Sequence, residues 1–354
     1  METTAKQAWI VDFETGTVLL DKDGTTPVPP ASLSKLMTLY MVFERLKRGK
    51  LSLEDEFPVS RKAWRKGGSK MFVRVGRKVR LEDLVRGIVV SSGNDASIVV
   101  AEGLSGSEAA FADAMNRRAR ELGLTGSHFV NATGWPDAGH VMTPRDVAVL
   151  SRRLIEDFPE YYPYFAEKSF RYNRIKQPNR NPLLYRDTGV DGLKTGYTRA
   201  SGYGLAASAA RNGRRVAMVL TGLASARERT SEARRLLDWA YGSFRNYTLF
   251  EAGAAVETAD VWLGGEDTVP LVVERDVRIT LPRAARPGLK VKVVYQGPVP
   301  APIIRGTRIA SLVVTAPEFE TVEVPLVAGA DIARVGVFGR IGAAITYMLW
   351  GPER

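Results

Sequence analysis

Three short groups of residues in this sequence have types and spacing that could do chemistry. Ser32 and Lys35, in "PPASLSKLMT", stand three residues apart. On a helix that separation puts two side chains on one face, and a lysine beside a serine hydroxyl pairs a nucleophile with a base. The lysine can take the hydroxyl proton if burial and neighbouring cations lower its pKa. Ser92, Gly93 and Asn94 form the second group, and Lys194, Thr195 and Gly196 the third. Taken singly each is bland, since Ser32 could simply cap a helix and Lys35 lie on a surface. Taken together they make a coherent acyl-transfer site. Lys194 would supply a second cation near Lys35, and the helix start at Ser32 would favour negative charge on an acyl oxygen. Backbone N–H groups of Ser32 and Tyr197 would hold the oxyanion. Ser92 would relay a proton to the leaving amine, and Asn94 would hold a substrate amide.

Composition removes several competing chemistries. The 354 residues contain no cysteine, which excludes thiol catalysis, cysteine-based zinc sites and disulfides. There are only two histidines, His128 and His140, so a histidine-rich metal centre is not expected, nor is any cofactor. A histidine base for Ser32 is the competing arrangement, but no G-x-S-x-G elbow surrounds Ser32, and both histidines read as structural. The formal net charge of +11 is spread along the chain without a basic tail or a nucleic-acid motif, so no nucleic-acid partner is expected. It suits an acidic substrate or an anionic surface. The glycines of "GGSKMFVRVG" at 67–76 lack the ending and the preceding strand of a phosphate loop.

The elements that would position these groups can be read from periodicity and turn signals. "QAWIVDF" and "TVLLD" around "ETG" predict a hairpin. A largely apolar helix is predicted from about Ser32 to Arg48, ended by Gly49. Helices follow from about Leu81 to Val89 and from about Ala96 to Glu102, leaving Ser92 and Asn94 in the loop between them. "GSEAAFADAMNRRARELGL" predicts another helix, and Thr143 with Asp146 predicts a capping box for "PRDVAVLSRRLIEDF". "VDGLKTG" and "GYGLAASAA" predict strands, Asn212-Gly213 a tight hairpin into "RRVAMVLTGL", and a helix from about Ala226 to Tyr241 follows. Strands at both ends with helices between them predict an α+β domain whose antiparallel sheet joins the chain ends. After Leu249, short Val-rich runs between Pro and Gly turns predict a small all-β sandwich. "ARVGVFGRIGAAITYMLWGPER" predicts an amphipathic helix lying on a membrane surface, with a helix docked on a domain as the plainer alternative. The expected division is 1–246, 247–333 and 334–354. "METTAKQAWIVDF" has no apolar leader region, which fits either a cytosolic protein or a mature form.

The order S-x-x-K, S-x-N, K-T-G is the signature set of penicillin-recognising serine enzymes. With its flanks, "SSGNDAS" and "VDGLKTGYTRASGYGLAASA", and with "NATGWPDAGH" and "QPNRNPLL", the chain resembles a low-molecular-mass penicillin-binding protein of the serine D-Ala-D-Ala carboxypeptidase group over most of residues 8–245. The resemblance implies a β-lactamase/transpeptidase-like catalytic domain, a β-rich domain and an amphipathic anchor. It implies removal of the terminal D-Ala from peptidoglycan stem peptides through an acyl-enzyme, and acylation by β-lactams. It implies export to the periplasmic side of the cytoplasmic membrane, with a signal peptide already removed. Ser32 would be the nucleophile, Lys35 the base, and Ser92 and Asn94 would shape the cleft. Lys194, Thr195 and Gly196 would meet the substrate carboxylate, assisted by Arg229, and Arg180 would line the cleft. Tyr197 departs from the histidine or small residue that several members carry there. A D,D-endopeptidase, a β-lactamase and a non-catalytic peptide-binding scaffold remain the alternative readings.

Overall fold

Alternating side chains from Gln7 put Ala8, Ile10 and Asp12 on one buried face, and this segment is strand β1 (Gln7–Asp12). It returns as β2 (Val18–Lys22) in the predicted hairpin. Asp12 closes the turn, its Oδ1 accepting from the N–H groups of Glu14 and Thr15 and from the Thr15 hydroxyl at 3.0–3.1 Å. The computed structural model describes residues 1–317 and 320–336. The chain divides into two units, Met1–Gly242 and Ser243–Arg354.

The helix predicted from Ser32 to Arg48 is in fact two elements. A 3-10 turn, Ala31–Ser34, precedes helix α1 (Lys35–Lys47). The change has a local cause: Ala31 takes a φ of 50°, and the Leu33 N–H donates to Pro30 O at 3.1 Å, which tightens the turn. Side chains three apart nearly eclipse in such a turn, so Ser32 stands over Lys35. Leu36, Met37, Leu39, Tyr40, Met41, Val42 and Phe43 are all buried, so α1 is enclosed on every side. Each large apolar side chain contributes roughly 1.5–3 kcal/mol on burial, and together they hold Lys35, at the first turn, away from water.

The other helices surround α1. Strand β3 (Glu56–Pro58), helix α2 (Arg61–Arg65) and strand β4 (Lys78–Arg80) lead into α3 (Leu81–Val89) and α4 (Asn94–Ser105). Helix α4 begins earlier than expected, at Asn94 itself, so the loop before it holds Ser92 and the helix holds Asn94. Helices α5 (Glu108–Glu121) and α6 (Pro144–Asp157) follow. At α6, Thr143 caps through its hydroxyl, but the box is not reciprocal. The Asp146 carboxylate turns instead to Gly126 N–H and the Ser127 hydroxyl, both at 2.8 Å. A short ribbon, β5 (Ser169–Tyr172) and β6 (Ile175–Pro178), precedes β7 (Val190–Thr198), β8 (Gly202–Arg211), β9 (Arg214–Leu223) and α7 (Ala226–Ser243). The main sheet is antiparallel with order β2-β1-β9-β8-β7, so the chain ends meet in it and β7, which carries Lys194, is an edge strand.

In the second unit a ribbon of β10 (Phe244–Phe250) and β13 (Val277–Pro282) and a six-stranded sheet share a core of Ile279, Leu281, Leu271, Leu312, Val314 and Leu326. That sheet is built from β11 (Ala255–Trp262), β12 (Thr268–Val272), β14 (Lys290–Tyr295), β15 (Val299–Pro300), β16 (Arg308–Thr315) and β17 (Val322–Ala328). Among the described residues no helix is long and apolar enough to cross a membrane. The predicted surface helix at 334–354 lies, from 337 onward, outside the described residues.

One buried ion pair ties β1 to β9. Arg214 Nε donates to Asp12 Oδ2 at 2.7 Å, with Asp12 fully buried. Removing one partner of such a pair strands the other, whereas an exposed pair contributes little. Asp12→Ala is expected to lower stability by about 3 kcal/mol in urea denaturation. Glu54→Ala, which breaks the exposed pair with Arg80, should leave the urea midpoint unchanged.

Candidate active site

Lys35 is fully buried, and its ammonium nitrogen meets three oxygens. Nζ lies 2.9 Å from Ser32 Oγ, 2.8 Å from Asn94 Oδ1, and within hydrogen-bond reach of the Thr133 carbonyl. The Asn94 amide has only one sensible orientation, because its Nδ2 donates to the Gly67 carbonyl at 2.9 Å and a carbonyl can only accept. A neutral amine has two N–H bonds and one lone pair. Asn94 Oδ1 and Thr133 O can only accept, so they take the two N–H bonds. The lone pair is left facing the Ser32 hydroxyl, the one group of the three with a proton to give.

Burial lowers the Lys35 pKa to about 7, helped by the charges of Arg180 and Lys66 and opposed by Asp95. At pH 7 about half of such groups are neutral, against about one in three thousand for an ordinary lysine. That difference decides whether Lys35 can act as a base at neutral pH. Asp95 offsets the effect only in part; its carboxylate accepts from the N–H groups of Met71, Phe72, Val73 and Ala96.

The second lysine is placed by the sheet edge. Lys194 is buried on β7 and donates to Ser92 Oγ at 2.8 Å and to Thr195 O at 3.1 Å. Its pKa lies well below the ordinary lysine value, first because of burial and then through the charges of Lys35, Arg180 and Arg229. Ser92 holds a φ of 56°, in the left-handed region that a serine seldom adopts, and this aims its hydroxyl at Lys194. Gly196 lets β7 lie against the turn that carries Ser32, since a Cβ there would stand 3.2 Å from both Ala31 Cβ and Pro30 O. Thr195 is buried beside Lys194, while Tyr197 is 55% exposed and packs on Tyr203 with ring centroids 4.2 Å apart.

Two arginines join the lysines in a cationic cluster. Arg229, on the first turns of α7, is buried; its guanidinium lies 5.7 Å from the Tyr203 ring centre, and its Nε has no hydrogen-bond partner. Arg180 is exposed and donates to the Ser69 hydroxyl. Among the described residues no carboxylate pairs with Lys35, Lys194, Arg180 or Arg229, although many other lysines and arginines are paired in that way. Such a cluster attracts an anion.

The sequence model for D-alanyl-D-alanine carboxypeptidases matches residues 1–225. The chain belongs to the D-alanyl-D-alanine carboxypeptidase family. A second model, for the C-terminal domain of penicillin-binding protein 5, matches residues 244–334. The chain is 36% identical to the D-alanyl-D-alanine carboxypeptidase DacC of Escherichia coli over 344 residues, 95% of this chain and 86% of that one. Penicillin-binding protein 5 of Haemophilus influenzae has a similar structure, with a TM-score of 0.86 at 33% identity, covering 94% of this chain and 99% of that one. Penicillin-binding protein D2 of Listeria monocytogenes, in its cefotaxime-bound form, gives a TM-score of 0.62 at 29% identity over 67% of this chain and 97% of that one. Within this carboxypeptidase family the chain is a serine-type enzyme.

Hydrogen bonds join Ser32, Lys35 and Asn94 in one group and Ser92 and Lys194 in another; the two groups meet through charge, Lys35 and Arg229 acting on Lys194 and Arg180 on both lysines. His140 lies apart from this network. It is buried, its Nδ1 accepts from Val130 N–H at 3.1 Å, and burial lowers its pKa to about 4, so it stays neutral. Three contributors were not singled out from sequence: the carbonyls of Thr133 and Gly67, and the Ser69 hydroxyl. Backbone atoms leave no mark in residue type. The "NATGW" pattern, with its Asn two residues before Thr, was the available signal.

The rate of D-alanine release should therefore follow the neutral fraction of Lys35. As pH rises through about 7, kcat/KM is expected to climb with a one-proton limb and then level off. Lys35→Arg, whose guanidinium stays protonated, should lose at least about a thousandfold in rate at every pH up to 9.

Proposed function

We propose that the protein removes the terminal D-Ala of peptidoglycan stem peptides through an acyl-enzyme on Ser32. The observation that carries this reading is the Lys35 amine, aimed at the Ser32 hydroxyl by two carbonyls. The terminal carboxylate would sit against Lys194, Thr195 and Arg229, supplying the counter-charge that those buried cations lack and raising the Lys194 pKa. The stem would lie extended along the open edge of β7.

Ser32 Oγ attacks the carbonyl carbon of the penultimate D-Ala, and its proton passes to Lys35. The oxyanion is held by the backbone N–H groups of Ser32 and Tyr197. As the tetrahedral intermediate collapses, the C–N bond breaks and the departing amine receives, by way of Ser92, the proton that Lys35 took, which returns Lys35 to its neutral form. Water then attacks the ester, its proton going to Lys35, and Ser32 Oγ leaves as a hydroxyl. A β-lactam would enter the same sequence at the acylation step, opening its ring on Ser32. Asn94, shared between Lys35 and Gly67 O, holds the base and faces the substrate amide. The buried Arg229 favours a substrate with a free terminal carboxylate over a cross-linked peptide cut internally.

Residues 1–246 would carry the catalysis and 247–333 would act as a spacer. Residues 334–354 would hold the protein to the periplasmic face of the cytoplasmic membrane. Support for that anchor is the recurrence of Val337, Ile341, Ala344 and Met348 at helical spacing, with Arg340 and Trp350 suited to an interface.

Ser32→Ala should abolish D-alanine release from a diacyl-Lys-D-Ala-D-Ala peptide, by at least about a thousandfold, together with covalent labelling by a fluorescent penicillin. Full activity in this variant would sink the acyl-enzyme reading. Truncation of residues 334–354 should end sedimentation with anionic phospholipid vesicles while leaving peptide hydrolysis intact; unchanged sedimentation would refute the anchor.

A further inference from the structure

The lone pair of Lys35 is directed by two carbonyls, and only one belongs to a helix residue. Asn94 stands at the start of α4. Thr133 lies in a loop outside any helix or strand. A loop carbonyl directs a catalytic amine only if its peptide plane cannot rotate.

We propose that Asn131 is the positioning residue that fixes the Thr133–Gly134 peptide and, through it, the direction of the Lys35 lone pair. Asn131 Oδ1 accepts from the Thr133 N–H at 3.1 Å, the Thr133 hydroxyl at 2.9 Å, the Gly134 N–H at 2.9 Å and the Trp135 N–H at 3.1 Å. Its Nδ2 donates to Trp135 O at 3.0 Å, and that carbonyl settles which way the amide points. The decisive bond is the one from Gly134. The Gly134 N–H and the Thr133 carbonyl belong to one planar trans peptide unit, so they point in opposite directions. With the N–H held on Asn131, the C=O is held on Lys35.

The loop around this peptide is anchored by other bonds, so Asn131 is not what folds it. Ala132 O accepts from the Thr38 hydroxyl at 2.8 Å, and Ala132 N–H donates to Glu108 Oε1 at 3.2 Å. Gly134 has a φ of 77°, and a Cβ there would stand 1.7 Å from Ala31 O, against the turn that bears Ser32. Without the Asn131 acceptor the peptide unit is free to rotate between these anchors. The two N–H bonds of Lys35 then no longer fix its lone pair on Ser32. Asn131 touches neither Lys35 nor Ser32 through any of its bonds, and acts through the backbone alone.

This inference rests on the acyl-enzyme reading, and its test separates the two. Wild type, Asn131→Ala and Asn131→Asp are compared for kcat, KM and the pH profile of D-alanine release from diacyl-Lys-D-Ala-D-Ala, with melting temperature recorded alongside. Asn131→Ala should lose about ten- to a hundredfold in kcat and kcat/KM together, with KM within about twofold. Asn131→Asp keeps the acceptor and should recover most of that rate. Its new carboxylate joins Asp95 against Lys66, Arg180 and Lys194 around Lys35, with His140 neutral, and so favours the ammonium. The ascending limb should therefore move to higher pH. A role in folding alone would lower the melting temperature and leave KM, kcat of the folded fraction and the limb where they were. Equal kcat in wild type and Asn131→Ala, or a loss that Asn131→Asp does not reverse, overturns the proposal. Should Asn131→Ala not fold, Asn131→Asp decides: kcat on the pH plateau within about threefold of wild type supports the proposal, and a loss of about tenfold or more in the folded variant overturns it. Absence of release by the wild type would overturn the carboxypeptidase reading itself.

Discussion

The structure depends on keeping one lysine dry. An ammonium group buried without a carboxylate is costly, and Lys35 is held in that state by a helix whose residues from Lys35 to Phe43 are all buried. What the interior gives in exchange is three oxygens at hydrogen-bond distance, two of which can only accept. The lowered pKa and the directed lone pair are two results of this one placement. Enclosure makes the neutral amine accessible at pH 7, and the carbonyls decide which way it faces. The remaining elements can be understood as means of holding this arrangement. Helix α4 presents Asn94, the loop after α5 presents Thr133, and β7 brings Lys194 alongside.

Much of this was legible from residue types. The hairpin at the N-terminus, the strands around Asn212-Gly213 and the helix at Leu81–Val89 follow from alternation, turn chemistry and helical periodicity, all local signals. The candidate catalytic side chains could be proposed from sequence because serine, lysine and asparagine at fixed spacing are themselves the signal. What was not legible came from backbone. The 3-10 turn at Ala31–Ser34 depends on a left-handed Ala31, which no propensity favours. Asp146 looked like one half of a reciprocal cap, yet its carboxylate found better donors at Gly126 and Ser127 from another part of the chain. The Thr133 carbonyl has no residue signature at all. Its role emerges only when a segment almost a hundred positions away folds back onto α1.

The two lysines also differ in what they await. Lys35 is complete without substrate, its three oxygens already in place. Lys194 has a serine hydroxyl and its own neighbour's carbonyl, and cations on the sides where a counter-charge would help. A carboxylate arriving there therefore interacts more strongly than it would with a solvated lysine, because the site has paid the desolvation in advance through the packing of the sheet edge.

An edge strand left open for a ligand is equally open to a second copy of the chain, and unprotected edges are where soluble proteins pair and aggregate. Strand β7 carries Lys194, Thr195 and Gly196 at the edge of its sheet, and under the proposed function a bulge or a covering loop there would obstruct the substrate. The clustered cations supply another protection. Two such edges approaching each other bring Arg180, Arg229 and Lys194 of both molecules together with no intervening carboxylates, and like charges in that geometry repel. The charge that draws a carboxylate in would thus also keep the open edge from polymerising. Self-association and ligand affinity would then share one dependence on ionic strength, with opposite sign.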